Sequence, residues 1–302
     1  MTATSENFGD LISPGFYKIF TKRIKEPEAM LQDLYGMRTS TKSQEKDSSV
    51  GQFSDFDEFT GTVAYSDLYQ GYDKTFNFTE YAKGFKIERK LWDDDLTGIM
   101  NKKPANLAEA ASRTREKHGF SVFNEAFTTV STSNSGGGGD GLELCGSAHP
   151  SNAPGVSTQS NEGTTALSVT AVEATRRLGR DMRGDQYELL DVQYDTIITP
   201  IELEQTAWEI INSKGKIDTS VNNANFHQGK YKLIVCPRLT DATDWFMVDS
   251  KLMKDMLLFW DRIKPEFFQD KDSDTLIAKF VCYMRYGFGW NDWRFIFGQL
   301  VT

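Results

Sequence analysis

Cys145 and His149 stand four residues apart in the run CGSAHP, and a thiol beside an imidazole is the smallest apparatus for a cysteine nucleophile. Such pairs normally converge from distant segments, whereas both residues here fall in Ser131–Thr165, a stretch dominated by Ser, Thr, Gly, Asn and Pro. That composition predicts a flexible surface loop, which cannot preorganise a catalytic pair. A cysteine-dependent enzyme is therefore the weakest reading of the chain. The glycines of Gly136–Gly141 match GxGxxG but follow a helical pattern, whereas a dinucleotide fingerprint must join a strand to a helix so that backbone amides meet pyrophosphate. Gly215-Lys216 and Gly229-Lys230 lack the Ser/Thr and the upstream glycine of a phosphate loop. Asp93, Asp94 and Asp95 are consecutive, so their carboxylates diverge and predict a solvated turn rather than a cation site. No HExxH or GxSxG occurs, and the chain has only His118, His149 and His227. The expectation is no catalytic, cofactor or metal site.

Composition narrows the class. The 302 residues carry a formal net charge of -9 and no Lys/Arg stripe, so the phosphate attraction that drives nucleic-acid binding is missing. A mildly acidic subunit suits a container wall, where tight adhesion to packed polyanion would hinder loading and release. Aromatic residues make up 13% of the chain, with 21 Phe and 6 Trp, which is heavy for a protein that must keep its surface wet and points to aromatic surface buried between subunits. The start, MTATSENFGDLISPGF, has no basic region before an apolar core, and no apolar run reaches the roughly 18 residues of a membrane span, so the chain is expected to be cytosolic when made. Cys145, Cys236 and Cys282 are odd in number, far apart and without CxxC, which suggests neither disulfides nor a zinc knuckle; Cys236 and Cys282 read as small buried hydrophobes.

The elements that must position any site come next. Residues 1–50 offer a short amphipathic stretch (Phe16, Tyr17, Ile19, Phe20, Ile24) and then the polar run Arg38–Ser49, together an extended arm. Period-two alternation from Phe53 to Leu91 predicts a hairpin, with Thr62–Tyr65 on one side of a turn-rich tip and Phe76, Phe78, Tyr81, Phe85 and Ile87 on the other. An isolated two-stranded ribbon buries too little to offset its ordering entropy, so this one must lie on its own domain or on a neighbouring copy. Three- and four-residue steps of apolar residues from Leu107 to Val130 predict a long helix, with Val122 and Ala126 inward and Arg113, Arg115, Glu116 and Lys117 outward. Thr170 with Glu173 opens a second helix, Val192–Ile198 is a strand, and Thr199, Pro200 and Glu202 occupy N-cap, N1 and N3 of a helix reaching Asn212. YKLIVC is a buried strand stopped by Pro237, and Leu276–Phe297 is an aromatic, strand-rich end. The class is α+β, without internal repeats.

Three runs look familiar as wholes: DTIITPIELEQTAWEIINS, then NNANFHQGKYKLIVCPRLTDATDWFMVD, then LLFWDRIKPEFFQDKDSDTLIAKFVCYMRYGFGWNDWRFIFG. Their order resembles the major capsid proteins of tailed bacteriophages, including those of Mu-like prophages. The resemblance implies the Hong Kong 97-like capsid fold: an N-terminal arm at 1–50, an extended loop at 51–91, a peripheral domain from 92–141 and 246–302 with a spine helix at 105–130, and an axial domain at 142–245. It further implies a subunit that self-assembles into hexamers and pentamers of an icosahedral head enclosing double-stranded DNA without sequence-specific binding. The place expected for such a protein is the virion capsid, after assembly in the host cytoplasm, with no membrane and no cofactor. Leu68, Tyr69, Tyr72, Phe76, Phe78, Trp290, Trp293 and Arg294 are the expected subunit contacts. The sequence lacks a long, highly charged helical segment at its start, so a separate scaffolding protein is expected, together with a portal and decoration proteins. An encapsulin-type nanocompartment shell shares the fold and is the alternative, separable by its enzyme cargo.

Overall fold

The structure, a computed structural model, describes residues 6–24, 29–50, 58–59, 61, 63, 65, 70–88, 90–91, 94, 100, 102–128, 139–151, 157–215, 224–272 and 277–302. In chain order its elements are α1 (Glu6–Ile24), α2 (Ala29–Leu34), β1 (Gly36–Thr39), β2 (Gln44–Val50), β3 (Gln70–Asn77), β4 (Thr79–Glu88) and α3 (Lys102–Asn124). There follow β5 (Glu162–Gly163), α4 (Val169–Arg180), β6 (Thr196–Thr199), a 3-10 turn at Ile201–Leu203, α5 (Glu204–Asn212), β7 (Lys232–Val235), β8 (Trp245–Val248), α6 (Ser250–Met256), β9 (Leu257–Asp272), β10 (Ile277–Trp290) and β11 (Ile296–Gln299).

One lobe is built on the sheet β1-β9-β10-β4. Phe280, Cys282, Met284, Tyr286 and Phe288 alternate along β10 and are all buried on one face, where α1 and α3 cover them. Phe16 of α1 tilts against Phe280 at 5.1 Å, and Phe20 stacks on Phe267 at 5.0 Å. The other lobe is the sheet β5-β11-β8-β6-β7, in which every residue of β6, β8 and β11 is buried, the pattern of strands covered on both faces. Its parallel pair β6–β7 is joined through α5, and α4 starts at Ser168, whose hydroxyl accepts from the Ala171 amide. The antiparallel pair β2–β3 forms a separate two-stranded ribbon.

The elements depart from their sequence reading at several places. The described part of the expected arm is divided between the first lobe and the ribbon: Phe16 and Phe20 are buried, β1 runs parallel to β9 from Gly36 opposite Leu258 to Thr39 opposite Asp261, and β2 pairs with β3. The four-residue spacing of those phenylalanines makes a helix that needs a core, and the chain's own sheet supplies it. The ribbon pairs Gln44–Asn77 and Glu45–Phe76, and β4 pairs with β10; of the strand expected at 62–65 only Val63 and Tyr65 lie among the described residues, and neither is in a strand. QEKDSSV lacks apolar alternation, which left β2 invisible to pattern reading. The spine helix ends at Asn124 in a turn, short of residue 130, and Val130 itself lies outside the described residues. Pro104 sits in its first turn, where its missing amide costs nothing. Thr199 ends β6 with its hydroxyl buried and caps no helix; Pro200 precedes a 3-10 turn instead. Finally, the described part of Ser131–Thr165 is anchored rather than loose, with an antiparallel bridge between His149 and Gln159 and with Asn161 fully buried.

Candidate assembly site and the junction beneath it

The expected contact residues divide in two. Phe76, Phe78, Trp290 and Trp293 are buried within the chain and give little to a neighbour; Leu68 and Tyr69 lie outside the described residues. Tyr72 is half-buried, and Arg294 is held between Asp185 and Asp292 at 2.6 Å each. The aromatic residues from the foot of the ribbon and from the end of β10 thus converge inside one subunit: Phe76 packs on Trp260 at 6.3 Å, and the Lys74 ammonium lies over Phe76 at 5.9 Å and over Trp290 at 5.5 Å. Burial pushes the Lys74 amine down to about 8, against the pull of Asp140. Lys74 and Trp290, with Tyr72, Trp293 and Arg294, line a cavity of about 500 Å³ where the ribbon, the turn at 184–192, α6 and the β10–β11 turn meet. The sequence assigned the aromatics to subunit contacts because pattern cannot distinguish two buried destinations, the ribbon's own base and a partner.

Cys145 and His149 belong to the same seam, a correction to their reading as occupants of a mobile surface loop. Both are buried. The His149 ring stacks on Trp293 at 4.2 Å, its Nδ1 is 2.7 Å from Asp140 and its Nε2 is 3.1 Å from Asn161 Oδ1. Asn161 is itself fixed, accepting from the Gly146 amide and donating to the carbonyls of Leu144 and Ile296. Both imidazole nitrogens are therefore engaged away from the thiol, and burial pushes the Cys145 thiol far above its ordinary value. The arrangement ties Asp140, Leu144, Gly146, His149 and Asn161 to one another and to β11, and offers no activated nucleophile. Cys236 and Cys282 are buried, as their apolar surroundings predict. Of the three consecutive aspartates only Asp94 is described, and it is exposed; among the described residues no cluster of His, Cys, Asp or Glu could hold a metal ion, and no helix is long and apolar enough to cross a membrane.

Sequence reasoning missed the polar lock of the first lobe. Arg115, expected to face solvent or a neighbouring subunit, is buried and makes a bidentate pair with Asp261 at 2.6 and 3.1 Å. Its guanidinium lies 4.8 Å over Phe259 and 5.4 Å over Tyr286. The signal was present: Arg115 follows Ala108, Ala111 and Ser112 and precedes Gly119 and Val122 on the same buried stripe of α3. On the flank, Glu116 pairs with Arg238 of the second lobe and Glu109 accepts from Arg23 of α1 at 2.8 Å, so the spine helix is tied on three sides.

What remains for other molecules is the outer surface. Phe59, Val63 and Tyr65, between the strands of the ribbon, are exposed, Tyr65 by 94%. On the second lobe Ile201, Trp208, Leu178, Phe226, Tyr187 and Leu189 are also exposed. Single exposed apolar residues are ordinary, but this number of large ones suits a subunit of an assembly.

The comparisons agree with this architecture. The phage capsid protein family matches residues 71–298. Among solved structures, the procapsid of bacteriophage JBD30 matches with a TM-score of 0.57 at 13% identity, over 99% of this chain and 76% of that one. The capsid of the cyanophage P-SCSP1u matches with a TM-score of 0.57 at 12% identity over 90% and 88%, and that of an empty GTA particle with 0.54 at 13% over 92% and 91%. No curated protein matches the sequence. At such identities the structural likeness carries the fold, the Hong Kong 97-like fold expected from the sequence, and the family match carries the kinship. The chain belongs to the phage capsid protein family.

Proposed function

We propose that this capsid protein forms the wall of an icosahedral phage head, as hexamers and pentamers of itself around double-stranded DNA. The observation that carries the reading is the two-stranded ribbon, whose foot is clamped by Lys74, Phe76 and Trp290 while Phe59, Val63 and Tyr65 stay exposed beyond it. A ribbon cannot stand alone in water, so one with a rigid base and exposed apolar residues beyond is built to lie on a neighbour. Such a contact is heterologous, and heterologous contacts close into rings when the rotation allows. Many weak contacts of this kind act together in a shell. A separate scaffolding protein, a portal and decoration proteins complete the reading, with assembly in the host cytoplasm and kinship that includes the capsid proteins of Mu-like prophages. A nanocompartment is not favoured, since the matching structures named above are capsids of phages and of a GTA particle.

The experiment is to purify particles from cells carrying the whole gene cluster and to treat them with nuclease. The expectation is protected double-stranded DNA of uniform length in shells made mainly of this chain. Shells holding protein cargo and no DNA would replace this reading with the nanocompartment.

A further inference from the structure

Two helices of the second lobe carry opposite charge beside exposed apolar residues. The segment Ile201–Asn212, with α5, contains Glu202, Glu204 and Glu209 and no Lys or Arg, and it presents Ile201 and Trp208, 55% and 58% exposed. Ile201 lies in the 3-10 turn that leads into α5 and Trp208 in α5 itself; both are exposed, while Ala207, Ile210 and Ile211 of the helix are buried. The other surface is made by α4 and the turn before β7. There Arg176, Arg177 and Arg180 outnumber the single Glu173 of the helix, and Arg176 and Lys230 lie over the Phe226 ring at 5.2 and 3.0 Å. Phe226 and Leu178 are 51% and 50% exposed there.

We propose that these two surfaces are partners: the acidic Ile201/Trp208 face of one copy docks on the basic Leu178/Phe226 face of the next. The inference rests on the shell reading and extends it by naming the charge code of one subunit contact. A heterologous contact needs two different, mutually complementary patches on a single chain, which is what the two helices supply. The composition of each patch is also that of an interface, an exposed Trp or Phe framed by charges of one sign, with the opposite sign on the partner. In a chain of net charge -9, cations outnumber acids around this exposed aromatic ring: Arg176 and Arg177 share the one Glu173, at 2.8 and 3.0 Å, and Lys230 lies over Phe226. The neighbouring cations Arg238 and Lys232 already pair, with Glu116 and Asp33, and Arg180 pairs with Asp191 in an exposed bridge.

The test is charge exchange in the full chain, under conditions where the unaltered protein forms particles; absence of particles from the unaltered protein would refute the shell reading itself. Glu204→Lys with Glu209→Lys reverses the acidic face, and Arg177→Glu with Lys230→Glu reverses the basic one, removing the exposed Arg177–Glu173 bridge, which contributes little to stability, and leaving the Arg176–Glu173 pair in place. Each pair of changes alone is expected to cut particle yield at least tenfold while the soluble subunit keeps its helical content and unfolding midpoint. The four changes together are expected to restore yield to within about threefold of the original. Trp208→Ser, which changes no charge, is expected to lower yield in both the original and the exchanged backgrounds. Failure of the four-fold exchange to rescue folded subunits overturns the pairing, as does normal yield from either reversed face. Normal shells that merely retain less DNA when the basic face is reversed would also overturn it, assigning that face to the polyanion instead.

Discussion

Arg115 shows how one buried ion pair fixes the seating of the spine helix on the sheet. Its guanidinium meets both carboxylate oxygens of Asp261 between two aromatic rings, so either partner alone would be a charge stranded in the core. Arg115→Ala is expected to cost about 3 to 5 kcal/mol in unfolding of the unassembled subunit, whereas Arg115→Met with Asp261→Leu should recover most of that loss, since an apolar pair of similar volume leaves no buried charge. A double-mutant cycle by chemical denaturation measures both; equal loss from the single and the double variant would show that packing, not charge, dominates. Lys74 carries a pH signature. Its folded pKa is pushed down to about 8 by burial, below the unfolded value, so between about pH 8 and 10.5 the unfolded chain binds more protons and stability rises with pH on account of this group. The buried tyrosines and cysteines titrate in the opposite sense, so the comparison is with Lys74→Met. The difference in stability between the original and Lys74→Met should shift in favour of the original by roughly 1 to 3 kcal/mol from pH 8 to pH 10. A difference independent of pH over that range would place the amine in water.

At the scale of elements, the sequence was legible where a regular apolar period buries a face inside the subunit, although it left the destination of Phe16, Phe20 and Phe76 open. The alternation of Phe280 to Phe288 and the stripe from Leu107 to Val122 reappear where periodicity put them, and KLIV is a strand as expected, although only Ile234 of its four residues is buried. It failed where polar residues are bound by partners far along the chain: β2 is a strand because β3 and the junction hold it, and Asp140, His149 and Asn161 are ordered by Trp293 and β11 across more than a hundred residues. A run of Ser, Gly and Asn reads as loose because its side chains carry no period, although each can satisfy a buried backbone group. Gly119 marks a close approach that periodicity also hides. A Cβ there would meet Leu31 Cδ2 at 2.2 Å, and the Tyr35 hydroxyl donates to the Gly119 carbonyl at 2.5 Å, so α2 lies directly on the spine helix. Gly119→Ala gains helix propensity of up to about 1 kcal/mol but forces α2 away, for a net loss of roughly 1 to 3 kcal/mol. Adding Leu31→Ala should make the glycine replacement nearly neutral in the thermal midpoint; an unchanged penalty in that background would mean the clash lies elsewhere.

At the scale of the whole molecule, the two sheet lobes share the spine helix and a seam of buried His149, Trp293 and Trp290, while the ribbon leaves that seam clamped only at its foot. The interior is therefore complete in one copy, and the surface is not: large apolar residues stay open on the second lobe and between the ribbon strands. This division explains why aromatic richness alone could not tell core from contact. It also makes assembly, rather than any pocket chemistry, the property on which the account stands. The most direct test is electron microscopy of the overexpressed, purified chain as its concentration is raised. Rings of five and six copies joined into curved sheets or closed shells, with the ribbon of one copy lying across the next, is the predicted result. A well-folded monomer that stays monomeric up to the millimolar range, with scaffolding protein supplied, would contradict it.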